Sequence, residues 1–169
     1  PVCGLELNFR RLKENPRITM YTMAEVTNIT GSEGDFEVTV TVQPRYVNDK
    51  CTGCNACNEA CPAERTNDFN FGMDKTKAAY LPFSQAFPFK YVIDKSACSG
   101  DCAQACKDAC KYDAVDLDMQ AETKTFKVGT VVTATGWSPY DFNQLPTLGA
   151  GKIKNVVSNM MMERLASPS

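Results

Sequence analysis

Nine cysteines dominate the chemistry open to this 169-residue chain, because it contains no histidine. The absence of His excludes a Ser–His triad, a His general base and every His-ligated zinc or haem site. Cysteine must therefore carry any metal or redox chemistry. Eight of the nine cysteines lie in two groups of four between positions 51 and 110, and Cys3 stands apart from both groups.

The first group has the spacing CxxCxxCxxxCP and consists of Cys51, Cys54, Cys57 and Cys61, followed by Pro62. This is the spacing of bacterial [4Fe–4S] cluster motifs. Two-residue spacers wrap a loop around a cubane, whereas the fourth cysteine, expected at the start of a helix, points away from the first three. In two-cluster ferredoxins that fourth thiolate ligates the other cluster. The motif therefore predicts iron–sulfur binding and an exchange of fourth ligands with the second group.

The second group has the looser spacing CxxxCxxxCxxxC, and Lys111 rather than Pro follows it. A single helix over all of it would place the outer thiols roughly 18 Å apart, too far for one cubane. We therefore expect a loop from Cys98 to Cys106. The three-residue spacer before the last cysteine is common to both groups, and this spacer is what the exchange requires. We predict one cluster on Cys51, Cys54, Cys57 and Cys110, and a second cluster on Cys98, Cys102, Cys106 and Cys61.

Other cysteine chemistries give competing interpretations. Zinc also takes four thiolates and would make a structural docking module, but its ligand pairs are usually a dozen or more residues apart. A disulfide framework is disfavoured, since no secretory signal pattern precedes the cysteines. Cys102 and Cys106 also fit a buried helix face. Cys3 has three interpretations: a small buried side chain, a ligand of another cofactor, or the reactive thiol of a dithiol enzyme. The last is disfavoured, because no second cysteine lies near enough to form a CxxC pair with Cys3.

Two elements are expected before the cysteine-rich region. Residues 17–43 alternate apolar and polar side chains around a GSEG turn, which predicts a half-buried antiparallel β-hairpin. A short amphipathic helix is predicted to end near Pro16. Its expected buried stripe consists of Leu5, Phe9 and Leu12.

The cysteine-rich region contains a repeat. RYVNDK precedes the first group and KYVIDK, which begins 45 residues later, precedes the second. Self-similarity of this kind indicates a duplicated unit packed against its copy. No firm secondary structure is expected between the copies, in residues 64–89.

Strands are predicted again over 112–119 and 121–137, followed by a helix over 155–167. The sequence thus predicts an α+β chain in which a ferredoxin-like module interrupts a β-rich body. The expected division places β-rich segments at 1–44 and 120–169 and the two-cluster module at 45–119.

Composition and charge exclude several partners. The formal charge of −2 provides no basic surface for nucleic acid. No apolar run is long enough to span a membrane. Because the sequence begins at Pro1 and ends soon after a predicted helix, we expect a piece of a longer protein.

The segment VVTATGW, residues 131–137, is a further but less specific signal. An apolar β run that ends in Thr135 and Gly136 is a place where the backbone can approach a dinucleotide closely. The same pattern fits an ordinary strand followed by a turn. No GxGxxG motif is present, so this chain is not expected to bind a flavin alone.

The combination of RYVNDKCTGCNACNEACP, a second cysteine group, VGTVVTATGW and NMMMERLASPS resembles the A subunits of heterodisulfide reductases. It resembles still more the related A subunits of the quinone-interacting membrane-bound oxidoreductases associated with adenylylsulfate reductase. The resemblance spans essentially the whole chain. It implies a bacterial-ferredoxin-like module with two [4Fe–4S] clusters, inserted in a fragment of a thioredoxin-reductase-like flavoprotein.

The resemblance also implies a cofactor and partners. FAD would be bound by the full-length protein, with Thr135 and Gly136 in the ATG segment of the flavin fold. The implied partners are sister flavin and iron–sulfur subunits, adenylylsulfate reductase and a membrane quinone-reactive subunit, in sulfate respiration or sulfur oxidation. A cytoplasmic protein held at the membrane by its partners is expected. The fragment itself would carry electrons without a catalytic residue of its own.

Overall fold

The computed structural model describes residues 4–98 and 102–167. The described residues divide into two compact units, one made of 4–65, 75–98 and 102–131 and the other of 66–74 and 132–167. The eight grouped cysteines all belong to the first unit. No helix within the described ranges has the length and apolar character to cross a membrane.

The first unit begins with a helix and a three-stranded antiparallel sheet. Helix α1 (Gly4–Glu14) precedes strands β1 (Ala24–Ser32) and β2 (Asp35–Val42). Strand β7 (Glu122–Val128), which lies far along the sequence, pairs with β2 and completes the order β1-β2-β7. The predicted helix and hairpin are thus confirmed.

Burial within this part is sparser than the sequence pattern indicates. Val38 is the buried side chain of β2, and every residue of the edge strand β1 is exposed. Helix α1 contains no buried residue, and Leu5 of the predicted stripe is 40 % exposed. Phe9 of that stripe stacks instead on Phe87, with ring centroids 4.8 Å apart.

The cysteine-rich part of the first unit is built from short elements. Helix α2 (Ala56–Ala60) is followed by strand pairs β3 (Glu64–Thr66) with β4 (Lys75–Lys77) and β5 (Ala79–Tyr80) with β6 (Val92–Ile93). Helix α3 (Cys102–Asp108) comes next. The stretch between the sequence repeats therefore does contain short strands, contrary to expectation.

The two repeat copies occupy corresponding places in two antiparallel pairings. In the first copy Val47 forms a β-bridge with Val115, and in the second Val92 pairs with Tyr80. A backbone hydrogen bond of 3.1 Å from Ile93 N–H to the Arg45 carbonyl joins the copies. This arrangement is what a duplicated unit packed on its copy requires.

Cysteine thiols form a large part of the core of the first unit. The apolar side chains packed around them are small or branched, and Ile93 is among the largest fully buried side chains. The buried members of this core are Val47, Cys57, Cys61, Ala78, Ala79, Tyr91, Ile93, Cys102, Cys106, Ala114 and Val115. A core assembled from thiols, alanines and a few larger residues gains little from apolar burial alone.

The second unit contains short helices. Two 3₁₀ turns, Phe142–Gln144 and Pro146–Leu148, precede helix α4 (Asn159–Ala166). Ser158 caps α4, since its hydroxyl accepts a hydrogen bond from Met161 N–H. The Arg164 guanidinium of this helix lies 4.1 Å from the Phe69 ring centroid. The predicted C-terminal helix is confirmed, although it begins four residues later than expected.

Two predicted strands are absent from the described part of the chain. Residues 131–137 adopt no regular structure, and residues 112–119 contribute only the Val115 bridge. Apolar alternation measures the side-chain pattern, whereas a strand also needs a neighbour for its backbone hydrogen bonds. Neither segment has a full-length neighbour among the described residues.

Two details of the cysteine groups were also predicted wrongly. Residues 98–106 are not all loop, because α3 begins at Cys102 and carries Cys106 one turn later. Side chains four residues apart lie on one helix face, so a helix can direct both thiols to one place while Cys98 lies outside it. Cys61 does not start a helix but follows the last residue of α2, with extended backbone angles of φ −74° and ψ 117°.

Candidate iron–sulfur sites

The first site is a small apolar cavity at the end of the first cysteine loop. Three thiols of the first group, Cys51, Cys54 and Cys57, line it together with Cys110 of the second group. Apolar neighbours include Tyr91. The structure thus brings together the four cysteines that the spacing assigned to one cluster.

Strained backbone positions shape the loop of the first site. Gly53 has φ +74° and Asn55 has φ +72°, both in the left-handed region. A Cβ at Gly53 would lie 2.3 Å from the Phe89 ring, so only glycine fits beneath that ring. Asn55 is held in place by two hydrogen bonds, one from the Tyr91 hydroxyl at 2.6 Å and one to Glu59 at 3.0 Å.

Two returning segments complete the first site. Cys51 N–H donates to the Asn48 carbonyl, which closes a turn just before the loop. Cys110 follows α3, and its N–H donates to the Lys107 carbonyl. Its Sγ accepts a hydrogen bond of 3.3 Å from Ala114 N–H. Hydrogen bonds of this kind to ligand sulfur help to set cluster potentials.

The second site consists of Cys61, Cys98, Cys102 and Cys106. Burial and the neighbouring Cys102 and Cys61 thiols raise the pKa of Cys98. Burial and thiols that include Cys61 and Cys102 raise the pKa of Cys106. These are again the four cysteines that the spacing grouped, including the exchanged one. Cys61, Cys102 and Cys106 are all buried.

The two sites are neighbours. The Cys106 Sγ donates to the Cys57 carbonyl at 3.6 Å, and the two thiols also interact electrostatically. Helices α2 and α3, which carry Cys57 and Cys106, pack against each other. A donor–acceptor contact therefore links a residue of the first site to a residue of the second.

Burial makes the metal-free thiols reluctant to ionise. Burial, with a smaller effect from Cys51, raises the pKa of Cys57 to about 11. Burial and the neighbouring thiols likewise raise the pKa values of Cys98 and Cys106. A thiolate is the metal-binding form, so binding of a positively charged metal centre among these thiols would displace their protons into solvent.

The donor sets fit iron–sulfur cubanes better than single ions. Tetrahedral zinc would draw four sulfurs to about 2.3 Å from one point. Among the described His, Cys, Asp and Glu side chains, no three or more are arranged to share one metal ion. Two adjacent sets of four thiols, each partly enclosed by apolar side chains, supply the ligands that two [4Fe–4S] clusters need. The zinc alternative is not favoured.

The other candidate residues are not assembled into a described site. Thr135 and Gly136 are exposed in the second unit, and a Cβ at Gly136 would meet no atom within 4 Å. Their assignment to FAD stays a prediction. Cys3 lies outside the described residues.

Sequence reasoning missed three residues that shape the first site, namely Asn55, Phe89 and Tyr91. The signal for Tyr91 was its place in the repeated KYVIDK segment. Asn tolerates positive φ, so Asn55 directly before a short helix carried a second signal. Nothing in the local pattern pointed to Phe89, since it reaches Gly53 across 36 positions of sequence.

Comparison with known proteins supports the cluster assignment. Residues 44–64 match the family model described as "4Fe-4S binding domain". The A subunit of the Methanosarcina mazei ferredoxin:CoB-CoM heterodisulfide reductase is 40 % identical over 166 residues, which are 97 % of this chain and 21 % of that protein. The iron–sulfur A subunit numbered 1 of the Methanopyrus kandleri CoB–CoM heterodisulfide reductase is 43 % identical over 156 residues, covering 92 % of this chain and 23 % of that protein.

A third relative extends the match along nearly the whole chain. The A subunit of the H(2):CoB-CoM heterodisulfide,ferredoxin reductase of Methanothermobacter thermautotrophicus is 38 % identical over 169 residues, covering 99 % of this chain and 25 % of that protein. The chain therefore spans about a fifth to a quarter of the length of these relatives. It is homologous to a segment of heterodisulfide reductase A subunits, and it carries a [4Fe–4S]-binding domain that includes its first cysteine group.

Proposed function

We propose that this chain carries electrons through two [4Fe–4S] clusters inside a larger oxidoreductase subunit. The single observation that carries the proposal is the grouping of eight thiols into two adjacent sets, each with one cysteine taken from the other sequence group. When bound, each cluster would accept and release one electron with little reorganisation.

The protein's own residues would supply three things to this function. Cys51, Cys54, Cys57 and Cys110 would hold one cluster, and Cys61, Cys98, Cys102 and Cys106 the other. The apolar walls around the thiols would limit water at both sites, which affects reduction potential. The contact between Cys106 and the Cys57 carbonyl supports transfer between the two clusters, because it joins a residue of one proposed ligand set to a residue of the other.

Metal and spectroscopic analysis tests the cluster content. After anaerobic reconstitution we expect about eight irons and eight sulfides per chain, with broad visible absorbance that bleaches on dithionite. Reduced samples should give EPR signals of two interacting clusters. A colourless protein that retains zinc after the same treatment contradicts the proposal.

Double variants test the exchange of ligands. If Cys61 and Cys102 serve one cluster, Cys61→Ser combined with Cys102→Ser removes a single cluster and leaves about four irons. Cys61→Ser combined with Cys54→Ser, the matched control, should then remove both. The opposite result, with the first pair losing all iron and the second pair losing half, would show that each group binds its own cluster.

We also propose that the full-length protein binds FAD and works with sister flavin and iron–sulfur subunits. Support comes from the homology to heterodisulfide reductase A subunits and from the ATG segment containing Thr135 and Gly136. The flavin content of the purified full-length protein tests this part. Full-length protein without flavin, even after incubation with FAD, contradicts it.

Two kinds of complex are candidates for the intact protein. The named relatives favour a heterodisulfide reductase complex, whereas the resemblance in sequence motifs extends to the quinone-linked complex with adenylylsulfate reductase and a membrane quinone-reactive subunit. Purification of the native complex from membrane and supernatant fractions distinguishes the two. Recovery with adenylylsulfate reductase identifies the second kind, and recovery with heterodisulfide reductase subunits identifies the first.

A further inference from the structure

An ion pair joins the two chain segments that lead to the second thiol site. The Arg65 Nε lies 2.8 Å from the Asp94 Oδ2, and the two side chains are only 17 % and 24 % exposed. Arg65 lies on β3, four positions after Cys61, and Asp94 directly follows β6, four positions before Cys98. Because Cys61 and Cys98 come from different sequence groups, their thiols can serve one cluster only if these two segments are held together.

The Arg65 side chain also contacts the strand pair that leads to Asp94. Its guanidinium carbon lies 4.7 Å from the Tyr80 ring centroid, which is within the range of a cation–π contact. Tyr80 pairs with Val92 in the β5–β6 ladder, which ends immediately before Asp94. A planar guanidinium held on this ring presents its donors in a fixed direction, which the flexible ammonium of a lysine would do less well.

Backbone hydrogen bonds connect the same two segments. The Ala78 N–H donates to the Ala63 carbonyl at 3.0 Å, and the Asp94 N–H donates to the Ala78 carbonyl at 2.8 Å. Ala63 is two residues after Cys61, whose Sγ lies 3.5 Å from the Ala63 carbonyl oxygen. The fully buried Ala78 therefore links the segment that follows Cys61 to the segment that precedes Cys98.

The second carboxylate oxygen of Asp94 shapes the turn that leads to Cys98. This Oδ1 accepts hydrogen bonds from the Ser96 N–H at 3.0 Å and from the Ser96 hydroxyl at 2.5 Å. The Ala97 N–H donates to the Asp94 carbonyl at 3.2 Å. The Cys98 N–H donates to the Lys95 carbonyl, also at 3.2 Å. One oxygen of the carboxylate thus binds the guanidinium while the other orders the turn before the thiol.

The first copy of the repeat reaches its cysteine by a shorter path. RYVNDK leads directly into Cys51, whereas two further residues separate KYVIDK from Cys98. The turn before Cys51 is made by the neutral Asn48, whose Oδ1 accepts a hydrogen bond of 3.0 Å from the backbone two residues later. The longer path to Cys98 therefore leaves more of the chain to be fixed before the thiol.

The charged pair at the corresponding place of the first copy is exposed. Asp49 occupies the repeat position of Asp94 and is paired with Lys90, but its carboxylate is fully exposed. Water and salt screen such a pair, so it contributes little to stability. The Arg65–Asp94 pair is screened less, because both of its side chains are largely removed from water.

We propose that the Arg65–Asp94 ion pair positions Cys61 and Cys98 for the cluster of the second site. This inference rests on the proposed function and deepens it. Arg65 and Asp94 are positioning residues, since neither belongs to the proposed ligand sets. Their pairing would hold together two chain segments that covalent spacing leaves far apart, and it would compensate for the looser spacing of the second cysteine group.

Iron analysis and EPR of the anaerobically reconstituted Arg65→Gln protein test the inference. The substitution removes the cationic partner of a largely buried carboxylate, which is unfavourable. We expect iron to fall from about eight to about four per chain, and the EPR signals of two interacting clusters to give way to the signal of one. The cluster that remains shows that the chain has folded.

Combinations with cysteine variants assign the loss to its site. Arg65→Gln together with Cys54→Ser should lose nearly all iron, because each substitution removes a different cluster. Arg65→Gln together with Cys102→Ser should lose no more iron than Cys102→Ser alone, because both substitutions affect the second site.

Conservative and paired variants separate positioning from general damage. Arg65→Lys keeps the positive charge and should retain more than half of the iron that Arg65→Gln loses. Asp94→Asn keeps an oxygen for the turn but not the charge, so it should show the same selective loss as Arg65→Gln. The protein with both Arg65→Gln and Asp94→Asn should lose no more iron than either single variant, because the two residues act as one unit.

Asp49→Asn is the matched control, since it removes the corresponding carboxylate of the first copy and its pair with Lys90. It should leave the iron content and the interacting EPR signals unchanged. Full iron content in Arg65→Gln, loss of its first cluster, or an equal iron loss in Asp49→Asn would overturn the inference. Failure of the unsubstituted chain to take up iron would contradict the proposed function instead, so the two failures are distinguishable.

Discussion

At the scale of single residues, backbone conformation decides whether the first cysteine loop can form. Gly53 lies at φ +74° directly under the Phe89 ring, and Asn55 adopts a left-handed conformation that Tyr91 supports through a hydrogen bond. Between them these residues turn the chain so that Cys51, Cys54 and Cys57 line one cavity. The three thiols are thus positioned by neighbours that are not themselves candidate metal ligands.

Gly53→Ala should therefore disrupt the first site. The new Cβ would collide with Phe89 and would also strain the backbone. We therefore expect the unfolding free energy to fall by more than about 1 kcal/mol, and the variant to bind fewer irons per chain than the unsubstituted protein. Urea unfolding and iron analysis measure the two effects.

Gly34→Ala is the matched control, since Gly34 also has positive φ, +86°, but a Cβ there meets no atom within 4 Å. It should cost about 1 kcal/mol from backbone strain and leave iron content unchanged. Equal iron loss in both variants would show that Phe89 packing on Gly53 is not what maintains the loop.

At the scale of elements, short helices and one returning strand place the chemistry. Helix α3 directs Cys102 and Cys106 from one face, and the segment after it returns Cys110 to the other group. The β1-β2-β7 sheet joins residues from both sides of the cysteine-rich segment, with β2 in the centre. Strands β2 and β7 lie on either side of the cysteine-rich segment in the sequence. Because they pair with each other in the sheet, they hold the two ends of that segment close together.

Val38→Ala should weaken this sheet without changing the metal sites. Val38 is 9 % exposed on the central strand, opposite Ile29 and Phe126, and loses about two methylene equivalents on substitution. We expect a decrease of about 1.5 kcal/mol in unfolding free energy, with unchanged iron per chain. Chemical denaturation of the loaded protein provides the measurement.

The exposed strand β1 supplies the comparison for that variant. Val26 is 54 % exposed, so Val26→Ala should change the unfolding free energy by less than about 0.5 kcal/mol. A loss equal to that of Val38→Ala would mean that the exposed edge is covered in solution.

At the scale of the whole molecule, the core of the first unit depends on its thiols. Four of its eleven buried members are cysteines, and three are alanines. Clusters bound to those thiols, as proposed, would therefore stabilise folding as well as carry electrons, as at other metal sites formed only in the folded state.

The iron-free, reduced protein should lose stability as pH rises above about 9. The ordinary pKa of Cys57 is 9.0 and the folded protein raises it to about 11, so below pH 9 the thiol is protonated in both states and its contribution to stability is fully present. Between these values the unfolded chain loses a proton that the folded chain retains, and unfolding becomes more favourable. Urea unfolding at about pH 8 and about pH 10.5, on either side of the ordinary pKa, measures the loss under anaerobic reducing conditions.

Cys57→Ala isolates the contribution of this thiol from lysines and tyrosines that titrate in the same range. The variant should show a smaller decrease in unfolding free energy between the two pH values. The same decrease in both proteins would contradict the assignment of the effect to Cys57.

Much of the site could be predicted from local sequence, and the errors have a common origin. The placing of Cys110 with the first cysteine group and the two flanking helices were anticipated, whereas the exchange of cluster ligands stays a prediction. The strands predicted over 112–119 and 131–137 failed because strand formation depends on a partner that local alternation does not specify. The loop predicted from Cys98 to Cys106 failed because the distance argument excluded one long helix, not a short one beginning at Cys102.

By itself the sequence determined which chemistry is open to this protein. Without histidine, and with cysteines separated by two or three residues within each group, composition and covalent spacing already indicate cysteine-ligated iron–sulfur chemistry. Only the tertiary structure decided which distant residues support the first cysteine loop. The ring of Phe89 on Gly53 and the hydrogen bond from Tyr91 to Asn55 both join residues distant in sequence. Such contacts arise from packing of the whole chain, so no local pattern encodes them.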